Sequence, residues 1–198
     1  FELGPLCAAE CGYTLDLDAA LATGTLPGIY IETNPTERKK TLRSYAATYL
    51  REEIQAEALT RNIEGFARFL PVVAACAGSF LDLSKLASEA MVPRQTAVRY
   101  FEMLEETLIV HRAQAFAKSD RRRLLQHPRF FIFDNGVLNG LLANFNASPD
   151  RAGVLFEHFF FAQLRALAAA RDLDMTISTY RTEHGAEVDF IVACSDLL

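Results

Sequence analysis

The spacing of apolar residues along the chain predicts a protein built mainly of amphipathic helices. One helical repeat runs over 36–58, and a second begins at Asn62 and closes at Gly78. Before residue 36, Gly and Pro recur at short intervals and only 16–23 has a brief helical pattern. We therefore expect 1–35 to be an irregular lead-in to the first long helix.

The stretch 80–117 carries the most regular pattern. Its predicted elements are a helix over 84–90 with Ser84 as N-cap, a turn over 91–93, a helix over Arg94–Glu106, and hairpin strands over 107–110 and 113–117. Helix, short turn, helix and β-hairpin follow one another in this order in a winged helix-turn-helix, where the hairpin forms the wing. The pattern therefore predicts a winged helix.

The remaining pattern predicts a small α/β unit at the C-terminal end. The expected elements are a buried strand over 130–133, helices over 137–144 and 154–170, and strands over 175–182 and 187–193. The polar loop 144–153 separates the two patterns. We therefore expect a lead-in over 1–35, a helical and winged-helix domain over 36–145, and the start of an α/β domain over 146–198.

Composition narrows the class of protein. The chain has 198 residues, a formal charge of −5 and 51% hydrophobic residues, which excludes a disordered tail and a uniformly basic protein. The apolar uncharged stretch 69–81 is too short to span a bilayer, and no signal peptide is evident. We expect a soluble, cytoplasmic protein without a membrane partner.

Positive charge is concentrated near the predicted wing. Six basic residues and one acidic residue lie between Arg112 and Arg129. Arg94, Gln95 and Arg99 open the second helix of the predicted winged helix, where side chains reach bases and phosphates. The candidate nucleic-acid contacts are Arg94, Gln95, Arg99, Lys118, Arg121, Arg122 and Arg123. The alternatives are a solvated hairpin tip that pairs with acidic surface, or a winged helix that contacts only protein.

Carboxylates form the second candidate site. Glu187 and Asp189 are two residues apart on a predicted strand and therefore share a face, and Glu157 lies on the preceding helix. Such a set fits either Mg²⁺ or a salt bridge with Arg181. No P-loop or dinucleotide-binding glycine motif occurs, so we expect no nucleotide cofactor bound by this chain.

Five ordered segments resemble the C-terminal region of prokaryotic AAA+-type ATPases, a region known as domain of unknown function 4143. The segments are 44–70, 83–110, 121–142, 155–164 ("LFEHFFFAQL") and 180–192 ("YRTEHGAEVDFIV"), and "GTLPGIY" at 24–30 resembles the junction with the ATPase core. The resemblance implies a mixed α/β, helix-rich chain: a winged helix followed by a truncated domain similar to PD-(D/E)XK nucleases. Glu157 and Asp189 match that superfamily's metal-binding carboxylates, and its E-x-K strand would follow Leu198.

The resemblance also implies the function. We expect a C-terminal DNA- or partner-binding region of an AAA+-like ATP-binding protein, inactive alone, whose parent uses ATP and Mg²⁺ and forms a homo-oligomer. The alternative is a Mg²⁺-dependent nuclease in the full-length protein, with Glu157 and Asp189 as catalytic and metal-binding residues. A third option is an interaction platform for a toxin-like or restriction-like protein.

Overall fold

The structure, a computed structural model, describes residues 4–49, 63–116, 127–181 and 186–195. Helices account for most of its regular structure. They are α1 (Leu17–Thr23), α2 (Pro27–Tyr30), α3 (Pro35–Ser44), α4 (Ile63–Cys76), α5 (Leu83–Glu89), α6 (Arg94–Glu106), α7 (Asn135–Leu141) and α8 (Pro149–Ala170), with a π-helical turn at Tyr45–Tyr49. Within the described ranges, no helix is both long enough and apolar enough to cross a membrane.

The strands of the described residues join in one mixed sheet. They are β1 (Val110–Ala115), β2 (Arg129–Ile132), β3 (Met175–Arg181) and β4 (Glu187–Cys194), in the spatial order β2-β1-β3-β4. β1 is antiparallel to β2, with Val110 opposite Ile132, and parallel to β3, with Gln114 opposite Ser178. β3 and β4 are antiparallel, as the sequence predicts. The mixed α/β, helix-rich class is thus confirmed.

The predicted hairpin differs from the observed strands. A single strand, β1, occupies the region expected to hold two, and its antiparallel partner is β2, which the sequence predicts as a separate buried strand. The prediction over 107–110 fails because these residues first end α6. Leu108 adopts a positive φ of 60°, and the Ile109 N–H bonds the Leu104 carbonyl at 2.9 Å. The observed antiparallel pair is therefore β1–β2.

Two predicted helix boundaries also move. The helix expected over 36–58 is α3, which ends at Ser44 and passes into the π-helical turn; residues 50–62 lie outside the described part. Helix α5, for which Ser84 is the expected N-cap, is capped by Asp82 instead. Its carboxylate accepts hydrogen bonds from the N–H groups of Ser84 and Lys85 at 2.9 and 3.0 Å. A carboxylate there satisfies two otherwise unpaired helix donors.

The expected lead-in packs against α7 through buried polar contacts. Asp134 caps α7 by accepting the Val137 N–H at 3.0 Å, and it also accepts the N–H of Thr25 at 2.9 Å. A Cβ on Gly24, whose φ is +69°, would lie 2.2 Å from the Asp134 carboxylate. Only glycine therefore allows this close approach of the N-terminal segment.

Two neighbouring phenylalanines of β2 contribute to two different apolar clusters. Phe130 packs edge-to-face on Phe101 of α6, with ring centroids 5.3 Å apart. Phe131 stacks on Phe161 of α8 at 4.4 Å, in the cluster that Phe190 of β4 joins. Successive strand residues point to opposite faces. β2 thus connects α6 with α8 and β4, and strands from both sides of the polar loop 144–153 join in one sheet.

Candidate functional site

Helix α6 presents one face to solvent. Ala97, Phe101 and Leu104 of α6 are buried in the core. Arg94, Gln95 and Arg99 are exposed. The positions alternate with helical periodicity, so the three polar side chains cover the face that the core leaves uncovered. This exposed surface lies in the N-terminal half of α6. We call it, defined by Arg94, Gln95 and Arg99, the basic half of α6.

The turn between α5 and α6 is closed by backbone and side-chain bonds. The Val92 N–H donates to the Ala87 carbonyl at 3.0 Å, and Met91 before it has a φ of +53°. The Arg94 guanidinium Nε donates to Ser84 Oγ at 3.1 Å. α5 therefore holds the first turn of α6 in a fixed orientation.

The charge along α6 changes sign from one end to the other. Glu102 and Glu106 are exposed in its second half. Glu105 pairs with Arg112 of β1 at 2.6 Å, and burial raises the pKa of this carboxyl although Arg112 opposes the shift. Only the first half of α6 thus offers an uninterrupted positive surface to a polyanion.

Four of the predicted nucleic-acid contacts lie outside the described residues. They are Lys118, Arg121, Arg122 and Arg123. In the chain they fall between β1 and β2, the antiparallel pair that follows α6. Their part in binding stays a prediction from the sequence.

Arg129, the first residue of β2, lies among the predicted carboxylates. Its guanidinium pairs with Glu157 of α8 and lies 3.7 Å from the nearest oxygen of Glu187 and 3.8 Å from that of Asp189. Its Nε donates to the Gly78 carbonyl at 2.6 Å. We call the set of Arg129, Glu157, Glu187 and Asp189 the Arg129 cluster. The structure thus brings the predicted site residues Glu157 and Asp189 to one place, around Arg129.

The cation at this place is Arg129 and not the predicted alternative, Arg181. The Arg181 guanidinium lies 5.6 Å from the ring centroid of exposed Phe80. Arg129 is only 8% exposed, and its guanidinium also lies 5.4 Å from the centroid of Phe131. A cation so well shielded from water interacts more strongly with its carboxylates than a surface pair does.

The donor set can also be tested for a metal. Carboxylate oxygens are suitable Mg²⁺ ligands, but those of Glu157, Glu187 and Asp189 already face the Arg129 guanidinium. Across the described ranges, no group of three His, Cys, Asp or Glu side chains is arranged to hold a metal ion. Because the Arg129 guanidinium occupies the space between these carboxylates, the cluster in this arrangement does not fit a metal ion.

His158 lies beside the Arg129 cluster and is fully buried. Burial, and to a smaller extent the charge of Arg129, lowers its pKa to about 4, although its Nδ1 contact with the Val154 carbonyl at 3.2 Å opposes the shift. The ring packs edge-to-face on Phe131 at 5.1 Å. A neutral, enclosed imidazole of this kind serves packing.

Sequence reasoning missed the importance of Arg129. It counted Arg129 only as part of the basic stretch, since no local pattern relates it to Glu157 or Asp189. The sequence does hold one signal: Arg129 directly precedes the apolar run Phe130–Phe131–Ile132. A charged residue next to a buried strand needs a partner of opposite charge, which indicates that Arg129 is paired. The identity of that partner depends on the parallel pairing of β1 with β3.

A family model described as Domain of unknown function (DUF8612) matches residues 14–148, well over half of the chain. The chain belongs to this family. The match includes helices α5 and α6 and both strands β1 and β2, and therefore Arg129. It ends before α8, β3 and β4, so Glu157, Glu187 and Asp189 lie beyond the part that defines the DUF8612 family.

Two curated relatives are similar over nearly the whole chain. They are uncharacterized protein Rv2008c of Mycobacterium tuberculosis and uncharacterized protein Mb2031c of Mycobacterium bovis. Each is 25% identical over 199 residues, a stretch that covers 98% of this chain and 44% of the relative. The chain thus spans less than half the length of these relatives. No solved structure matches it.

The DUF8612 match corrects the resemblance drawn from the sequence. The chain is not assigned to domain of unknown function 4143 or to the C-terminal region of AAA+-type ATPases. The five segments behind that resemblance carry apolar patterns typical of helices and strands, and such patterns recur in unrelated families because burial demands them. The expectation of ATP and Mg²⁺ in a parent ATPase rested on this resemblance and gains no support from the comparisons.

Proposed function

We propose that this DUF8612 chain is a DNA-binding module that acts through a winged helix-turn-helix. In this proposal α5 and α6 form the helix-turn-helix, α6 is the recognition helix, and the segment between β1 and β2 is the wing. The observation that carries the proposal is the exposed basic half of α6, held in place by α5. Such a helix fits the major groove of a duplex through its N-terminal residues.

The arrangement of strands around the helices supports the same proposal. β1 follows α6 and pairs with β2, and Phe80, just before α5, forms an antiparallel bridge with Arg129 of β2. A bridge from the segment before α5 to β2, beside the β1–β2 pair, is consistent with a winged helix. In this proposal the basic residues Lys118 and Arg121 to Arg123, assigned from the sequence alone, belong to the wing, where contacts with the phosphate backbone set the register of the protein on DNA.

Charge explains how a chain of net charge −5 could bind a polyanion. Arg94 and Arg99 are exposed at the start of α6, and the acidic Glu102 and Glu106 come later in the same helix. A phosphate backbone can approach the first half of the helix while the second half stays outside the contact. Binding by a few phosphate contacts should be weak and strongly dependent on salt.

The test is binding to a labelled random-sequence duplex, followed by fluorescence anisotropy over a salt series. We expect Arg94→Ala/Arg99→Ala to weaken binding and to reduce the slope of log K against log [salt] by about 0.9 for each lost phosphate contact. The matched control is Lys40→Ala/Arg171→Ala, which removes two exposed cations outside the helix-turn-helix. Equal effects of the two double variants would contradict a role of α6.

A protein partner is the competing explanation of the same surface. A basic helix face can bind an acidic protein as well as DNA, and the salt series separates the two. If the chain does not bind duplex DNA at low salt, DNA recognition by α6 is wrong, and an acidic protein partner becomes the explanation to test. We include a cytoplasmic location in the proposal, because chromosomal DNA of a prokaryotic cell lies there.

The alternative drawn from the sequence, a Mg²⁺-dependent nuclease of the PD-(D/E)XK type, would require Glu157 and Asp189 to separate from Arg129, because both carboxylates face its guanidinium in the structure. Its test is cleavage of duplex and single-stranded DNA with Mg²⁺ by the chain and by the variants Glu157→Gln and Asp189→Asn. Cleavage that both variants lose would support this candidate. Absence of cleavage, or cleavage that both variants retain, would contradict it for this chain.

A further inference from the structure

A cavity of about 540 Å³ lies between the N-terminal segment, the turn after α6 and the C-terminal half of α8. It is separate from both surfaces discussed above, because neither the basic half of α6 nor the Arg129 cluster lines it. Cavities of roughly 300–1,000 Å³ hold small-molecule ligands in many proteins. We call it the α8 cavity.

The side chains around the α8 cavity are largely apolar. α8 contributes alanines at 162, 166 and 169, and their spacing places them on one side of the helix. Two aromatic rings, those of Phe133 and Phe161, line the cavity as well. Small methyl groups along α8 leave space beside the helix, and transfer of an apolar group from water into this space is favourable.

The imidazole of His111, in β1, lines the same cavity without a hydrogen-bond partner. Within the part of the chain that the structure describes, neither of its ring nitrogens is bonded, and its ring centroid lies 6.4 Å from that of Phe161. Burial, followed by the charge of Arg165, lowers the pKa of His111 to about 3. The ring is therefore neutral at physiological pH and offers one N–H donor and one acceptor nitrogen.

The other polar side chains of the described lining are already engaged. Arg165 and Tyr45 interact with other groups of the protein. The Thr107 hydroxyl donates to a backbone carbonyl of α6 at 2.8 Å, and the Glu10 carboxylate accepts a backbone N–H of the N-terminal segment at 2.8 Å. Because polar groups enclosed by a protein normally have hydrogen-bond partners, the unpaired imidazole of His111 indicates a ligand.

The N-terminal wall of the cavity is fastened at two places. Gln163 of α8 accepts the Ala8 N–H at 2.6 Å and donates to the Leu6 carbonyl at 3.0 Å. The Leu6 N–H in turn donates to the Thr25 carbonyl at 2.9 Å. These bonds hold the segment against α8, so the cavity is a built feature of the fold.

We propose that the α8 cavity binds a small neutral phenol, whose hydroxyl bonds the His111 imidazole and whose ring lies against Phe161 and the alanines of α8. A hydroxyl both donates and accepts, so it can pair with either nitrogen of a neutral imidazole. An aromatic body fits because aromatic rings pack favourably on one another. A neutral ligand fits because an unpaired charge is costly beside apolar walls. The site is independent of the proposed DNA binding.

The probes are 4-ethylphenol and ethylbenzene, which share an apolar body and differ in the hydroxyl. Isothermal titration calorimetry should show that 4-ethylphenol binds at least about tenfold more tightly, because ethylbenzene leaves the enclosed imidazole without a partner. His111→Phe keeps an aromatic ring, removes both nitrogens and should abolish this preference. Absence of 4-ethylphenol binding, equal affinities in the unaltered chain, or a preference that persists in His111→Phe would overturn the proposal.

Filling the cavity tests its location. Ala169→Phe, at the exposed rim, and Ala166→Trp, at a less exposed position of α8, should each weaken 4-ethylphenol binding at least about tenfold. The rim variant serves if the other does not fold. The matched control is Ala193→Phe, which adds the same side chain at an exposed position of β4 outside the lining and should leave binding unchanged. Full binding by Ala169→Phe, or its loss in Ala193→Phe, would overturn the proposal.

Discussion

Asp134 accepts a hydrogen bond from the N–H of Thr25 at 2.9 Å across 109 residues of sequence. The same carboxylate caps α7 through the N–H of Val137. One buried side chain therefore joins the N-terminal segment to the centre of the fold. Both bonds hold the Asp134 carboxylate in the interior, where its negative charge is less favourable than it would be in water.

This cost predicts a pH dependence of stability. Burial raises the pKa of Asp134 to about 6, although its backbone hydrogen bonds oppose the shift. The folded chain then binds the proton more tightly than the unfolded chain, so the free energy of unfolding falls as pH rises from about 4 to about 6. A pKa raised from 3.8 to about 6 means that Asp134 lowers the free energy of unfolding by about 3 kcal/mol over this pH range.

Asp134→Asn tests the assignment. Urea unfolding at several pH values between 4 and 7 should show that the variant lacks this fall, while it is less stable overall because an amide NH₂ faces a backbone N–H. The control is Asp82→Asn, an exposed cap whose pKa is lowered by its backbone hydrogen bonds, chiefly to Lys85. The fall between pH 4 and 6 should persist there. If it persists in Asp134→Asn, the titrating group is another one.

Helix boundaries were predicted unevenly from the sequence. α5, α6, α7 and α8 each end with a residue at positive φ, followed by an N–H that bonds a carbonyl five residues earlier. The residues at positive φ are Met91, Leu108, Ala143 and Asp172. Glycine is the usual signal for this turn, and none of the four is glycine. The apolar pattern nevertheless predicted the ends at Glu106 and Ala170, whereas α8 begins at Pro149 and not at the expected residue 154.

Long-range pairing marks the second limit. The antiparallel strands β3 and β4 were predictable from alternating residues on both sides of a tight turn, and the joint face of Glu187 and Asp189 followed from the period of a strand. The partner of these carboxylates was not predictable. Arg129 reaches them because β1 pairs with both β2 and β3, and no local spacing encodes that arrangement.

Met91 predicts a stabilising substitution. Its φ of +53° costs an ordinary residue about 1–2 kcal/mol, and its side chain is 75% exposed, so little packing is lost when it is removed. After the larger backbone entropy of glycine in the unfolded chain is subtracted, Met91→Gly should raise the free energy of unfolding by about 0.5–1 kcal/mol. Met91→Ala keeps the strained φ and should not stabilise. Equal stability of the two variants in urea unfolding would contradict this account.

The Arg129 cluster predicts a large loss of stability. Arg129→Met leaves Glu157, Glu187 and Asp189 without their cation, and the free energy of unfolding should fall by about 2–4 kcal/mol, since the carboxylates are partly exposed. The control is Arg181→Met, which removes an exposed cation beside Phe80 and should change stability by less than about 0.5 kcal/mol.

A double variant separates the ion pair from simple packing. Arg129→Met/Glu157→Leu replaces both partners with apolar side chains and should recover at least half of the stability lost in Arg129→Met, because the cost comes mainly from an unpaired charge. Additive losses in denaturant unfolding would show that Arg129 acts through its other contacts, the Gly78 carbonyl and the Phe131 ring.

The basic segment between β1 and β2 predicts a change in DNA affinity without a change in specificity. Arg121→Ala/Arg122→Ala/Arg123→Ala should weaken binding to every duplex by a similar factor, because phosphate contacts carry no base information. The salt slope should fall by about one unit for each lost contact. Arg94→Ala/Arg99→Ala, on the proposed recognition helix, should instead change the ratio of affinities between different duplexes. Unchanged salt slopes in the triple variant would remove this segment from the interface and leave α6 as the surface that binds DNA.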